Sequence, residues 1–144
     1  MFNQNLAGIR LINNKIRTNS TLTTYTGMYN NSILIPNDVN RPLITGNRIW
    51  GATAGTGMYN LNLGISSTIT TARRPLIANN MIQIGSVGTL TMGIRDNGSA
   101  GSDYIHNSVN IGSTLQTNTS AAGFFESSVA GNVILNNSFA GYAG

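Results

Sequence analysis

The stretch Arg74-Pro75-Leu76-Ile77-Ala78-Asn79-Asn80-Met81-Ile82-Gln83-Ile84-Gly85 decides the fold. From Asn80 to Gly85 apolar and polar residues alternate, the period of a strand with one buried face. The same grammar recurs along the chain. Asn followed two residues later by an aliphatic or aromatic residue occurs at Asn14, Asn47, Asn80, Asn107 and Asn137, at intervals of 33, 33, 27 and 30. The residues just before them are Asn13, Gly46, Asn79, His106 and Asn136. A second pattern, Gly followed by a large apolar residue, falls at Gly27-Met28-Tyr29, Gly57-Met58-Tyr59, Gly93-Ile94-Arg95 and Gly123-Phe124-Phe125, with intervals of 30, 36 and 30. Gly8-Ile9-Arg10 reads as a fifth copy crowded against Asn14, which makes the first coil irregular. A third element, Arg41-Pro42-Leu43-Ile44, returns at Arg74-Pro75-Leu76-Ile77.

Repeats of this length point to stacked units rather than a single folded layer. One repeat carries up to three short strands and three turns, enough to close a rung. Rungs then stack about 4.8 Å apart, each strand pairing in parallel above and below. No window sustains helical spacing, and Asn, Gly and Thr oppose helix. The expected fold is all-β: a right-handed parallel β-helix, or β-solenoid, of about five coils of roughly 30 residues, forming a single domain over residues 1–144.

Composition agrees. Only 8% of residues are charged, against roughly 25% in ordinary domains. Gly, Asn, Ser and Thr fill the gap, as short turns that visit the left-handed region require. Recurrent aliphatics argue against disorder. There is no cysteine, hence no disulfide framework and no thiolate metal site. No apolar run is long enough to span a membrane, and the start, Met1-Phe2-Asn3-Gln4-Asn5, has no basic region followed by an apolar stretch. The net charge of +4 is uneven: residues 1–74 carry seven bases and one acid, the remainder one base and three acids. Those bases are spread along the sequence, so no dense nucleic-acid patch is expected.

Several residues are candidates for a role. The repeated Asn14, Asn47, Asn80, Asn107 and Asn137 are expected to sit in the left-handed region at tight turns and to link rung to rung through their amides, a structural ladder. Tyr29, Tyr59, Arg95 and Phe125 share the slot two after the repeat Gly. Facing out, they form an aromatic and Arg stripe suited to sugar rings or a protein partner. Asp96 and Glu126 share the next slot and are expected as solvated outward neighbours on adjacent rungs; by spacing they could hold a cation or act as a retaining pair. Asp103 closes a loop that begins at Asp96. His106 is the only histidine and reads as a turn residue, with no second histidine to share a metal. Threonines precede the Gly at Thr21, Thr23, Thr24, Thr26, Thr53, Thr56, Thr89, Thr91, Thr117 and Thr119. A regular array of them on a flat face would suit ice, but variable loop lengths make it ragged.

Tyr104-Ile105-His106-Asn107-Ser108-Val109-Asn110-Ile111-Gly112, then Ala122-Gly123-Phe124-Phe125, then Asn132-Val133-Ile134-Leu135-Asn136-Asn137-Ser138-Phe139 resemble the right-handed parallel β-helix repeats of large secreted and cell-surface proteins of Bacteroidetes-type bacteria. The likeness runs from about Gly8 to the end and is specific for fold, weak for function. Pectate-lyase-like enzymes share that fold, and adhesins and ice-binding proteins use related solenoids. The resemblance implies a secreted or cell-surface location. The chain departs from a complete member: it has no evident capping helix and no sorting domain, and its last coil stops at Gly141-Tyr142-Ala143-Gly144. It therefore looks like a segment, or a unit whose open ends are covered by neighbours.

The functional expectation is a structural or adhesive module, not an enzyme, with neither cofactor nor metal. Its partners are further copies stacked head to tail, or other coils of a longer parent chain. The alternatives are a carbohydrate-binding or polysaccharide-processing module, with glycans on the stripe, and an ice-binding solenoid. No nucleic-acid partner and no membrane insertion are expected.

Overall fold

The computed structural model describes residues 1–4, 8–31, 41–64, 74–85, 91–112, 121–127 and 130–141. Strands follow one another in triplets. The first is β1 (Phe2–Gln4), β2 (Arg10–Ile12) and β3 (Lys15–Arg17). The second is β4 (Thr26–Asn31), β5 (Leu43–Thr45) and β6 (Arg48–Trp50). The third is β7 (Gly55–Leu61), β8 (Leu76–Ala78) and β9 (Met81–Ile84). The fourth is β10 (Thr91–Asn97), β11 (Asp103–Ile105) and β12 (Ser108–Ile111). The last is β13 (Ala121–Ser127), β14 (Val133–Leu135) and β15 (Ser138–Gly141). Each strand pairs with its counterpart in the next triplet. Three five-stranded sheets result, ordered β1-β4-β7-β10-β13, β2-β5-β8-β11-β14 and β3-β6-β9-β12-β15. All the ladders are parallel. The chain is a parallel β-solenoid with turns of about 30 residues.

The expectation of about five coils needs correction. The enclosed solenoid is about three turns, from β4 to β12. The first and last triplets pair on one side only among the described residues, so their inner side chains are covered from one direction. The core shows the difference. Met28, Met58 and Ile94 from the first sheet, Ile44, Ile77 and Tyr104 from the second, and Ile49, Ile82 and Val109 from the third are all buried. Ile134 and Phe139 continue two of these columns yet are 42% and 36% exposed. In-register pairing stacks like on like, and each buried Ile or Met contributes about 1.5–3 kcal/mol.

The corner between second and third sheets is set by one left-handed residue per rung. Asn13, Gly46, Asn79, His106 and Asn136 have φ of 57°, 67°, 54°, 55° and 52°. The left-handed residue is thus the one before the repeated Asn, not that Asn itself. Asn tolerates this region, and Gly enters it without penalty.

The repeat glycines have a different reason. Gly27, Gly57, Gly93 and Gly123 are absent from the positive-φ set; they are small because two sheets meet there. A Cβ on Gly93 would lie 2.6 Å from the Gly123 carbonyl oxygen and closer still to Val109 Cγ1 of β12. The neighbour is backbone and a packed Val, so the strain has no cheap release. Gly93→Ala is expected to cost about 2 kcal/mol or more, read as a lower midpoint in thermal unfolding followed by circular dichroism. An unchanged midpoint would mean that the first and third sheets can part without loss.

The first coil also differs from expectation. Gly8-Ile9-Arg10 is not the fifth copy of the glycine pattern: it leads into β2, in the second sheet. The first-sheet strand of that coil is β1, where Phe2 pairs with Tyr29 and Asn3 with Asn30. Met1-Phe2-Asn3 therefore repeats Met28-Tyr29-Asn30 and Met58-Tyr59-Asn60.

Candidate functional site

The outer side of the first sheet carries a column of aromatic residues and one Arg. Tyr29 pairs with Tyr59, Tyr59 with Arg95, and Arg95 with Phe125. All four stripe residues therefore come together, and Phe2 extends the column by one rung. The rings of Phe2 and Tyr29 stack at 5.0 Å and 9°. Tyr29 and Tyr59 meet edge-on at 5.2 Å. Arg95 lies over Tyr59, its Cζ 4.5 Å from the ring centroid. Its Nε is buried without a hydrogen bond. Phe2 and Phe125, at the two ends, are exposed. Beside the column, Met1, Phe2, Thr26 and Tyr29 line a shallow cleft of about 380 Å³.

Inside, the repeated Asn residues form one hydrogen-bonded column that runs in a single direction. The Asn47 amide oxygen accepts from both the backbone N–H and the Nδ2 of Asn14, at 3.0 and 2.9 Å. Asn80 accepts in the same way from Asn47, Asn107 from Asn80 and Asn137 from Asn107. The remaining Nδ2 hydrogen donates back one rung, to the carbonyls of Leu11, Ile44, Ile77 and Tyr104 in turn. Each central Asn is thereby fully satisfied although buried. Among the described residues the column ends in opposite chemistry. Asn14 presents an amide oxygen with no Asn below it. Asn137 presents a backbone N–H and an Nδ2 hydrogen with none above.

Asp96 and Glu126 are not a solvated outward pair, which corrects the expectation from spacing. Asp96 pairs with Asn60 and Glu126 with Asp96 in the first sheet, on the inner side, in line with Asn3 and Asn30. Asn3 donates to Asn30, Asn30 to Asn60, and Asn60 to the Tyr104 hydroxyl. That hydroxyl donates to Asp96 Oδ2 at 2.7 Å, and Asn132 Nδ2 donates to the same oxygen at 2.8 Å and to Glu126 at 3.1 Å. Asp96 is 0% exposed, so a polymer on the surface does not reach it. Its other oxygen, Oδ1, is buried with no partner. Burial pushes its pKa up, helped by the charge of Glu126 and opposed by the polar Ser99 side chain and by the hydrogen bonds from Tyr104 and Asn132. The Tyr104 hydroxyl is raised well above its usual value, by burial first and by Asp96 next.

Asp103 begins β11, at the end of the loop that follows β10, and is buried. Both ion pairs of the described residues end on it, from Arg41 and Arg74. Arg74 also donates to the carbonyls of Ser102 and Gly131, and Arg41 to that of Arg74. The repeated Arg-Pro-Leu-Ile element thus clamps successive rungs. His106 is exposed at its left-handed corner. Of the threonines, Thr26 and Thr56 are paired neighbours, while Thr91 is buried; Thr89, Thr117 and Thr119 lie outside the described residues. No group of three or more His, Asp or Glu side chains able to hold a metal occurs among the described residues.

No family model, no curated protein and no solved structure matches this chain. The geometry therefore carries the functional argument by itself. Its two strongest features are the outer aromatic column and the pair of unlike ladder ends. Sequence reasoning finds most of the first. It places the Asn residues of the second but does not reveal their direction.

Proposed function

We propose that this chain is a structural solenoid unit that stacks head to tail with further copies of itself, in a secreted or cell-surface setting. One observation carries the reading: the Asn column is one-way, so its acceptor end and its donor end are complementary. With a second copy set on the last triplet, Asn137 donates to Asn14 of that copy, as Asn107 does to Asn137. The other columns continue like on like. Phe125 meets Phe2, Ile134 meets Leu11, and Leu135 meets Ile12. Ile134, Leu135, Phe139, Phe2 and Ile12, all 36% exposed or more, would be covered. Three open strand edges at each end would gain parallel partners, which removes an aggregation hazard by using it. The basic first half and the acidic second half favour the same order. A contact of this type is heterologous and propagates into a fibre. The right-handed form is proposed on the strong bias of parallel crossovers, and the surface setting on the repeat resemblance.

Electron microscopy and sedimentation across a concentration series test the proposal. Rods that lengthen with concentration are expected. Leu135→Arg places a charge against Ile12 of the next copy and should leave single particles with an unchanged circular dichroism spectrum. A wild-type chain that stays monomeric at every concentration and salt would overturn the reading. The alternative of a carbohydrate-contacting module is supported by a different observation, the column Phe2-Tyr29-Tyr59-Arg95-Phe125, whose flat rings suit sugar faces.

A further inference from the structure

The third sheet has its own outer face, and the repeat gathers charge there. Lys15 pairs with Arg48, and Arg17 with Trp50. Within a strand, Lys15 and Arg17 point the same way, as do Arg48 and Trp50. Strands lie about 4.8 Å apart and alternate residues about 7 Å apart. The four side chains thus occupy the corners of one small rectangle, three of them cationic. Lys15, Arg17 and Arg48 are exposed, and Trp50 is half-buried. Arg48 Cζ sits 5.1 Å from the Trp50 ring centroid, which holds the guanidinium in place and leaves its edge free to donate.

No acid balances this cluster among the described residues. Asp96 lies in the core, Asp103 is held by Arg41 and Arg74, and Glu126 belongs to the last coil of another sheet. Asp38 lies outside the described residues. Three like charges at this separation repel, and the repulsion is relieved by an anion lying across them. Farther along the face the charge stops. The column after Arg17 and Trp50 continues with Gln83, Asn110 and Ala140, and the one after Lys15 and Arg48 with Met81, Ser108 and Ser138.

We infer that this face binds a linear polysaccharide carrying carboxylate or sulfate groups, laid along the solenoid axis. The cations take the anionic groups, Trp50 takes a ring face, and the Gln83 and Asn110 amides take hydroxyls. A nucleic acid fits less well. Single strands call for a series of stacking rings along a continuous cationic track. Among the described residues this face has one ring, and cations only at one end.

Trp50 is the only tryptophan in the chain, so its fluorescence reports on this face alone. The test titrates the full chain with heparin, polygalacturonate, neutral dextran and single-stranded DNA while following that emission. The expected result is a saturable change with heparin or polygalacturonate that weakens as salt rises, none with dextran, and weaker binding of DNA. Arg48→Gln and Lys15→Gln should each weaken binding about tenfold. Arg10→Gln, an exposed cation of the second sheet, should leave it unchanged. No response to either acidic polysaccharide, an equal loss in the Arg10 variant, or tighter binding of DNA would each overturn the inference. The two Gln substitutions are at exposed positions, and circular dichroism shows whether each variant is folded.

Discussion

Replacing Asn80 by Ala is expected to destabilise the fold by about 2–6 kcal/mol, a large share of the stability of a domain this size. Asn80 stands in the middle of the ladder and is 1% exposed. Its amide oxygen takes the backbone N–H of Asn47 at 3.0 Å and the Asn47 Nδ2 at 2.9 Å. Its Nδ2 serves the Ile44 carbonyl at 2.8 Å and the Asn107 amide oxygen at 2.9 Å. Truncation leaves two donors of Asn47 buried and unpaired, each costing about 1–3 kcal/mol, while the Ile44 carbonyl keeps its place in the backbone ladder with β8. No water takes their place unless the corner opens. Asn14→Ala provides the contrast. It removes one donor at the foot of the ladder, while the Asn14 backbone N–H still reaches Asn47. The expected loss there is below about 1 kcal/mol. Urea unfolding followed by circular dichroism measures both. Equal small losses would show that the ladder is decorative, and that the Ile and Met columns alone hold the rungs in register.

The ladder is legible in the sequence because an uncharged polar residue that recurs between variable loops must be held by something constant from rung to rung. A like residue on the neighbouring rung is the simplest such partner. Its corner is displaced by one position from the expected one, for Asn13, Asn79 and Asn136 precede the ladder Asn and look like it. Only Gly46 and His106 break the ambiguity, and Gly46 is the residue that marks a left-handed slot most plainly. The glycines are legible as a repeat, but their cause is not. It is a close approach between sheets, which sets Ile49 beside Gly27 and Val109 beside Gly93. Nothing local announces that. The first coil escapes a pattern built on glycine, because its first-sheet strand is marked by Met1-Phe2-Asn3 instead. The triplet of Met, aromatic and Asn, shared with residues 28–30 and 58–60, carries its signal.

The candidate sites show how a repeat converts sequence distance into proximity. Lys15 and Arg48 are separated by one repeat interval of 33, the same as Asn14 and Asn47. Counting bases along the chain hides a cluster that counting within the repeat reveals. Alternation also contains the correction for Asp96. If Tyr29, Tyr59 and Arg95 face out, the residues after them, Asn30, Asn60 and Asp96, face in. An acid following two asparagines in an inward column is then a buried acid. The Arg41, Arg74 and Asp103 clamp is beyond reach of the sequence, because Asp103 is 62 residues from Arg41 and 29 from Arg74. Its register neighbours on the adjoining rungs are Leu76 and Val133, neither of them polar.

Asp96→Asn is expected to stabilise the protein at neutral pH by about 1–3 kcal/mol. The wild-type side chain holds one oxygen against Tyr104 and Asn132 and leaves the other buried and unpaired. In the variant the amide oxygen keeps the two donors. The new Nδ2 replaces the orphaned oxygen and can donate toward Glu126, the register neighbour on the next rung. That extends the pattern already made by Asn3, Asn30 and Asn60. The pH dependence follows from the direction of the shift. The folded-state pKa is raised above the ordinary Asp value, so within the window between the two the folded state holds more protons than the unfolded one. Stability contributed by this group is therefore full below the ordinary value, declines as pH rises through the window, and stays low above the raised pKa. Acidification from neutral should strengthen the wild type through this group and do nothing through it in Asp96→Asn. Asp96→Ala separates the charge from the hydrogen bonds: it removes the acid but strands the Tyr104 hydroxyl and the Asn132 amide, and should be less stable than the Asn variant. Thermal melts of the three proteins from acidic to neutral pH decide the matter. If Asp96→Asn melts below the wild type at neutral pH, the hydrogen bonds from Tyr104 and Asn132 outweigh the cost of burying the carboxylate, and the ionised Asp96 is a stabilising element of the core.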